Sequence, residues 1–188
     1  MATEILLTSE TFVKSVSSIS DNIAGKYLRP SIREAQDIQF RRVVGDALLA
    51  KLKTLVSENH INDPENEAYK NLLDRSQYVI AYYAIVELCQ KVAYKVANAG
   101  VVKTSDENVQ QADRVDLASV REYNQAKGDS AVLDLQEFIL QNRASYPELS
   151  DADCNKIHAT LYSAASCGIF LGGARGKVIR GYYPTIRK

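Results

Sequence analysis

The sequence predicts a mainly α-helical protein, with about five helices around a central apolar helix, little β structure and an extended glycine-rich C-terminal arm. The helices are indicated by apolar residues that recur about every 3.6 positions through most of the first 167 residues. The arm is indicated by glycine, because five of the nine glycines lie between positions 168 and 181. We therefore expect a helical domain at 1–167 and a basic arm at 168–188.

The first two helices are marked by different local signals. The stretch Thr8-Ser9-Glu10 indicates the start of the first helix, because side chains of this kind can accept a backbone hydrogen bond at a helix N-terminus. The segment 21–28 is expected to be a loop, after which Pro30 occupies the favoured first position of a second helix that runs to about Val56. Gly45 lies in the middle of this second helix, where it should cost about 1 kcal/mol relative to alanine and mark a bend.

The third helix is expected at the centre of the fold. Asp63 can cap it, Pro64 fits its first position, and acidic residues follow at its positive end. The helix should run to about Ala97. Its middle, from Tyr78 to Val86, is apolar on nearly all sides, and a helix of this kind needs cover from several neighbours.

Two further helices are expected in the second half of the domain. Asn98-Ala99-Gly100 is typical of a helix end, and segment 101–104 can pair briefly as a strand. A fourth helix is predicted over 113–142 with an interruption at Gly128, and residues 150–153 cap a last helix. The fourth helix should bury five apolar residues: Leu117, Val120, Leu135, Phe138 and Ile139.

Charge is distributed very unevenly along the chain, although the formal net charge is zero. Residues 1–153 hold 17 Lys and Arg against all 23 Asp and Glu, a net charge of −6. Residues 155–188 hold six basic residues and no acid, a net charge of +6. Such an arm usually docks on an acidic surface of a neighbouring subunit, a partner protein or nucleic acid. The alternative is a tail folded back on its own acidic body.

The sequence contains no recognisable catalytic, cofactor or metal site. Cys154 and His158 share a helix face through their i, i+4 spacing, but a zinc site needs three or four ligands. The other histidine, His60, lies in a polar segment without a nucleophile motif. The uncharged segment 157–174 includes polar residues and glycines, so we expect it in a core or subunit interface instead of a membrane.

Three stretches of the sequence resemble a known family. Tyr27–Leu52, Tyr94–Glu107 and Leu161–Gly176 are similar in overall pattern to the head–tail connector (adaptor, head-completion) proteins of tailed phages and prophages. The resemblance covers nearly the whole chain and includes no catalytic motif.

The resemblance implies a non-enzymatic virion structural protein. Members of that family are mainly helical and assemble as a ring, commonly of about twelve subunits, beneath the capsid portal. The ring contacts portal and tail proteins, joins head to tail, and lets DNA pass without sequence-specific binding. The resemblance also implies assembly in the cytoplasm of the host bacterium and no association with a membrane.

A ring requires one face of each subunit to meet a different face of the next. The basic arm on an acidic body suits such a contact, and the expected interface residues are Arg175, Lys177, Arg180, Tyr182 and Tyr183. The segment 102–113 is a second candidate, with Lys103, Asp106 and Glu107 facing the lumen of the ring. The acids of this segment would prevent the channel from binding DNA tightly.

Two other function classes are open at this stage. Tyr182 and Tyr183 alternate with basic residues, a mixture that single-strand nucleic-acid binders use, so a nucleic-acid-binding helical protein is the alternative. This alternative predicts binding that weakens steeply with salt. An enzyme of an unrecognised class would need a pocket with convergent polar groups, which only a structure can show.

Overall fold

The chain folds as a mainly α-helical protein, as the sequence predicts. The computed structural model describes residues 4–17, 23–97, 100–103 and 114–150, together with Cys154 and Ile157. The helices are α1 (Glu10–Val16), α2 (Gly25–Glu34), α3 (Arg41–Ser57), α4 (Glu67–Ala93) and α5 (Arg114–Gln141). The remaining elements are a π-helical turn (Ala35–Phe40), 3-10 turns (Pro64–Asn66 and Arg143–Ser145) and two strands, β1 (Tyr94–Ala97) and β2 (Gly100–Lys103).

The N-terminal segment is held on the helices by side-chain hydrogen bonds. The helix start predicted at Thr8-Ser9-Glu10 is confirmed, and Ser9 caps α1, because its hydroxyl accepts a 3.1 Å hydrogen bond from the backbone N–H of Phe12. Gln36 is 1% exposed, and its Oε1 accepts from the backbone N–H of Leu7 at 2.8 Å. The Nε2 of Gln36 donates to the carbonyl of Ile5 at 3.2 Å. A single buried amide therefore satisfies both a donor and an acceptor of the same segment.

α2 begins earlier than the sequence predicts. The predicted loop at 21–28 is wrong from Gly25 onward, and Pro30 lies inside the helix instead of at its first position. A proline inside a helix removes a backbone hydrogen bond. Leu28 and Ile32, on either side of Pro30, are nevertheless fully buried, and their i, i+4 spacing places them on one face only in a helix. Burial of this face outweighs the local preference of the proline.

Two consecutive irregularities bend the second predicted helix. The π-helical turn Ala35–Phe40 joins α2 to α3, and Gly45 then interrupts α3 with φ 81° and ψ 170°. This combination of angles is essentially restricted to glycine, and the bend predicted at Gly45 is confirmed. Arg41 forms an ion pair with Asp46 across the break.

α4 connects most of the other elements, since it packs against α1, α2, the π-helical turn and α5. α5 runs antiparallel to α4, because Arg75 lies beside Phe138 and, further along α4, Tyr83 lies beside Gly128. The fully buried residues of α4 include Leu72, Val79, Ile80, Ala81 and Ala84. These side chains belong to the core of the protein, and packing against α4 sets the position of α5.

The C-terminal end of α4 differs from the prediction. The helix ends at Ala93 instead of continuing to Ala97, and the next residues form β1. β1 pairs antiparallel with β2, with Tyr94 opposite Lys103 and Ala97 opposite Gly100. The predicted helix end at 98–100 is therefore also wrong. Aromatic and β-branched residues, which favour strands, follow Ala93, and a pairing partner is available a few residues away.

α5 continues through Gly128, contrary to the predicted interruption. A Cβ atom on Gly128 would lie 3.2 Å from Cε2 of Tyr83, so glycine permits a close approach of the two helices. Leu135 and Ile139 are buried, as predicted. Val120 is 49% exposed, so its predicted inward position is wrong. Eight residues place it about 80° around the helix from Gly128, which turns its side chain away from α4.

After α5 the chain returns to the beginning of α4. Tyr146 is buried, and its hydroxyl donates a 3.0 Å hydrogen bond to the carbonyl of Ala68. Its ring packs edge-on against Tyr69, with 5.7 Å between ring centroids, and the Tyr69 hydroxyl donates to Glu148 at 2.8–2.9 Å. The pKa of both tyrosines is raised to about 12, by burial in both cases and, for Tyr69, also by the Glu148 carboxylate. Two neutral phenols thus fix the chain after α5.

Cys154 and Ile157 are helical and buried. The rest of the predicted last helix and the predicted arm at 168–188 lie outside the described residues, and so does most of segment 157–174. Within the described ranges, no helix combines the length and the apolar character needed to cross a bilayer.

Candidate functional site

An open groove of about 440 Å³ lies between α4 and α5. The groove is lined by one face of each helix, because residues three or four apart lie on the same face. Positions 75, 78 and 82 of α4 face positions 127, 131 and 134 of α5. The groove has aromatic, basic and acidic side chains. We call it the α4–α5 groove, and it is lined by Arg75, Tyr78, Tyr82, Lys127, Ser130, Ala131, Asp134 and Leu135.

Two cations of the α4–α5 groove lie over aromatic rings. The guanidinium of Arg75 is 4.4 Å from the ring centroid of Phe138. The Lys127 Nζ is 5.0 Å from the ring centroid of Tyr123 and 5.8 Å from that of Tyr82. These distances allow cation–π attraction. A hydrogen bond with Tyr123 raises the pKa of Lys127, so its ammonium is charged at neutral pH.

Neither cation of the groove has a carboxylate partner within 4.0 Å among the described residues. Other basic side chains do: Lys53 lies 2.8 Å from Asp37, and Lys91 lies 2.5 Å from Glu34. Arg75 and Lys127 are therefore positioned by aromatic rings, and their positive charge is available to an outside group.

Exposed apolar side chains form the rim of the groove. Tyr78, which lines the groove, is 46% exposed, and Tyr123, which lies beside Lys127, is 61% exposed. The Tyr78 ring packs edge-on against Phe12 of α1, with 5.2 Å between centroids. The rim is thus held in place on the α4 side, while its outer surface faces solvent.

The spacing of α4 and α5 beside the groove is set by Tyr83. Its hydroxyl hydrogen-bonds to the carboxylate of Asp129, and its ring lies against Gly128. Burial, with Asp129 as a second cause, raises the pKa of Tyr83 well above its ordinary value. The phenol therefore stays neutral and keeps the two helices at one separation.

A second surface with a clear charge is the connection between α3 and α4. Residues 58–67 carry four acids and no Lys or Arg, and we call this segment the acidic loop. All four carboxylate residues are exposed: Glu58, Asp63, Glu65 and Glu67. The predicted helix cap at Asp63 is wrong: its carboxylate pairs with Nδ1 of His60 at 2.8 Å and makes no capping hydrogen bond, and Pro64 begins a 3-10 turn before α4.

The acidic loop has a defined conformation. Asn59 adopts a left-handed φ of 59°, and the N–H of His60 donates back to the carbonyl of Leu55 at 2.9 Å while that of Asn59 donates to Val56. These two bonds are the Schellman arrangement that ends many helices, here with asparagine in the place usual for glycine. Ile61 is buried beneath the loop. The acids are therefore displayed from a rigid turn.

None of the site residues predicted from the sequence belongs to the α4–α5 groove or the acidic loop. The predicted interface residues, Arg175, Lys177, Arg180, Tyr182 and Tyr183, are outside the described residues, and so are Asp106, Glu107 and His158. Lys103 is the last residue of β2.

Cysteine and metal chemistry find little support in the part of the chain that the structure describes. Cys154 is buried, and burial raises the pKa of the half-buried Cys89 thiol, which makes the thiol less reactive. No group of three His, Cys, Asp or Glu among the described residues could hold a metal ion.

Sequence reasoning missed the groove and its rim. One signal was available, because Tyr123 and Lys127 are spaced i, i+4 on a helix face with no core partner. The excess of 11 Tyr over 4 Phe points in the same direction, since tyrosine suits wet interfaces.

Neither a curated protein nor a solved structure matches this chain. Residues 40–159 match a family of unknown function (DUF6712). The matched region begins at the end of the π-helical turn and includes α3, the acidic loop, α4, the β ribbon and α5. Because it spans more than half of the sequence, the chain belongs to this family of unknown function.

Proposed function

We propose that this chain is a non-enzymatic virion structural protein, resembling the head–tail connectors that form a ring beneath the capsid portal and join head to tail. The observation that carries the proposal is the rim of the α4–α5 groove. Tyr78 and Tyr123 are about half exposed beside two cations without a carboxylate partner among the described residues. Such a surface favours contact with another macromolecule over contact with water.

The composition of this rim supports a contact between proteins. Tyrosine and arginine are enriched in protein interfaces. Tyrosine buries a large area at little cost in side-chain freedom and retains a polar group. Tyr78 and Tyr123 provide the area, and Arg75 provides a planar cation already oriented by Phe138. A ring of identical subunits uses such a face once per subunit against a different face of its neighbour.

The proposal also gives a role to each of the remaining parts of the chain. About five helices around α4 form the body of the subunit. The glycine-rich arm at 168–188 is extended and reaches a neighbour or the portal through Arg175, Lys177, Arg180, Tyr182 and Tyr183. Lys103, Asp106 and Glu107 face the lumen, and DNA passes without sequence-specific binding. The site of action is the virion, after assembly in the host cytoplasm.

Native mass spectrometry tests the proposal. The full chain should form a closed ring of about twelve subunits, and deletion of 168–188 should shift it to monomers or small oligomers. A matched variant in which Arg175, Lys177 and Arg180 become glutamine keeps the length of the arm and removes three of its five positive charges. The proposal is refuted if the full chain is monomeric both alone and with portal protein from the same phage.

A second candidate function is favoured by the charge of the arm. Six basic residues without an acid in 155–188 can bind nucleic acid even though the chain is neutral as a whole. If all six contact a single strand, the logarithm of the binding constant should fall with the logarithm of salt concentration with a slope of about −4. Fluorescence anisotropy of a labelled oligonucleotide measures this slope. Binding that survives deletion of the arm excludes this candidate.

A further inference from the structure

We propose that the α4–α5 groove of one subunit binds the acidic loop of a second copy of this chain. The groove offers Arg75 and Lys127, which have no carboxylate partner within 4.0 Å among the described residues. The loop offers four exposed acids and no Lys or Arg in ten positions. This inference rests on the proposed self-assembly and identifies the two faces that would meet.

The two surfaces are complementary beyond their net charge. Asp134 lines the groove next to the cations, so the groove needs a partner that also brings hydrogen-bond donors. The acidic loop has such donors in the side-chain amides of Asn59 and Asn62, together with its acids. Nucleic acid is a poorer fit, because a phosphate backbone has no group that would offset the charge of Asp134.

The loop is also rigid enough to act as a preformed ligand. The backbone hydrogen bonds of Asn59 and His60 end α3, and the Asn66 side-chain amide donates to the carbonyl of His60 at 3.0 Å. Ile61 is buried under the loop. A segment with one conformation loses little entropy on binding, which favours association of weakly attractive charged surfaces. Tyr78 and Tyr123 on the rim would exclude water around the charged pairs.

The two surfaces lie on different parts of the subunit. The loop precedes the first turn of α4, whereas the groove spans positions 75 to 82 of α4 and 127 to 135 of α5. A contact between different faces of identical subunits is heterologous, and repetition of such a contact closes into a ring when the rotation between subunits allows it.

Reciprocal charge reversal tests this contact in the full chain. The groove variant carries Arg75→Glu and Lys127→Glu. The loop variant carries Glu58→Lys, Glu65→Lys and Glu67→Lys, which changes the net charge of the loop from −4 to +2. In each variant alone, groove and loop have the same sign of charge, so self-association measured by sedimentation velocity should weaken at least about tenfold. An equimolar mixture should assemble again, because each variant then finds an opposite charge on the other.

Two matched variants serve as controls. Lys70→Glu reverses an exposed charge on α4 outside the groove, and Glu122→Lys does the same on α5. Both should assemble like the wild-type chain, and circular dichroism confirms that every variant is folded. If all variants assemble like the wild-type chain, the inference is wrong while the proposed self-assembly stands.

Other results also decide against the contact. Reversal variants that lose assembly without recovery in the mixture exclude pairing of groove with loop. A wild-type chain that stays monomeric at about 100 µM, where a micromolar interface is saturated, overturns the inference, and the proposed assembly falls with it if the chain is also monomeric with portal protein. Single-stranded DNA that binds the wild-type chain and not the groove variant, with assembly unchanged, assigns the groove to nucleic acid instead.

Discussion

Replacing Gly45 by alanine should destabilise the protein, although alanine is the better helix former. At φ 81° and ψ 170° an alanine Cβ is strained, and conformations of this kind cost about 1–3 kcal/mol for residues other than glycine. Alanine also restricts the unfolded chain, which offsets about 0.4–1 kcal/mol. We therefore expect Gly45→Ala to lower the free energy of unfolding by about 1–2 kcal/mol, or the melting temperature by roughly 2–8 °C.

Urea denaturation followed by circular dichroism measures this change. Ala47→Gly, at an exposed position two residues further along α3, is the matched control and should cost about 1 kcal/mol from helix propensity alone. If Gly45 were in an ordinary helical conformation, Gly45→Ala would instead stabilise the protein by about 1 kcal/mol. A urea midpoint that rises in Gly45→Ala would therefore refute the break in α3.

Three further predictions concern other contacts. Gln36→Leu should lower stability by about 1–3 kcal/mol, because it leaves buried backbone groups unpaired, and hydrogen exchange of the Leu7 amide should accelerate. Gly128→Ala should cost about 1–3 kcal/mol by overpacking against the Tyr83 ring; the cost should disappear in a Tyr83→Ala background, and a cost that persists would contradict that cause. Because the pKa of Tyr69 is raised to about 12 in the folded protein, its contribution to stability should be constant below about pH 10 and be lost between pH 10 and 12. Tyr69→Phe should make the loss of stability in this range shallower, and an unchanged profile would exclude Tyr69 as a contributor.

The features of the fold that depend on local chemistry could be predicted from the sequence. α1 begins where predicted because Ser9, directly before the helix, accepts a backbone hydrogen bond at the helix N-terminus. The bend at Gly45 follows from the freedom of a single residue, and Leu135 and Ile139 face inward because they follow the helical repeat. Each of these predictions needs only a few neighbouring residues.

The wrong predictions share a dependence on contacts between distant residues. Pro30 is tolerated inside α2 because Leu28 and Ile32 are buried in the core, and that burial is not visible in the local sequence. Gly128 lies within α5 instead of interrupting it, at a position where the ring of Tyr83 leaves little room for a side chain. The groove could not be located for the same reason. Helical spacing makes Tyr123 and Lys127 neighbours, but the groove can be located only when the register of α4 against α5 is known.

Tyr146 fixes the point from which the C-terminal part of the chain leaves α4. Its ring is buried against Tyr69, and Ile157 is buried further along the chain. Residues 158–188 can therefore reach at most roughly 100 Å from Ile157, against a diameter of about 40 Å for a domain of this size. In the proposed ring, a tether of this reach keeps the basic residues at an effective concentration near the adjacent subunit of roughly millimolar. Groove and arm then act as a bivalent contact, whose avidity makes the assembly stable even when each contact alone is weak.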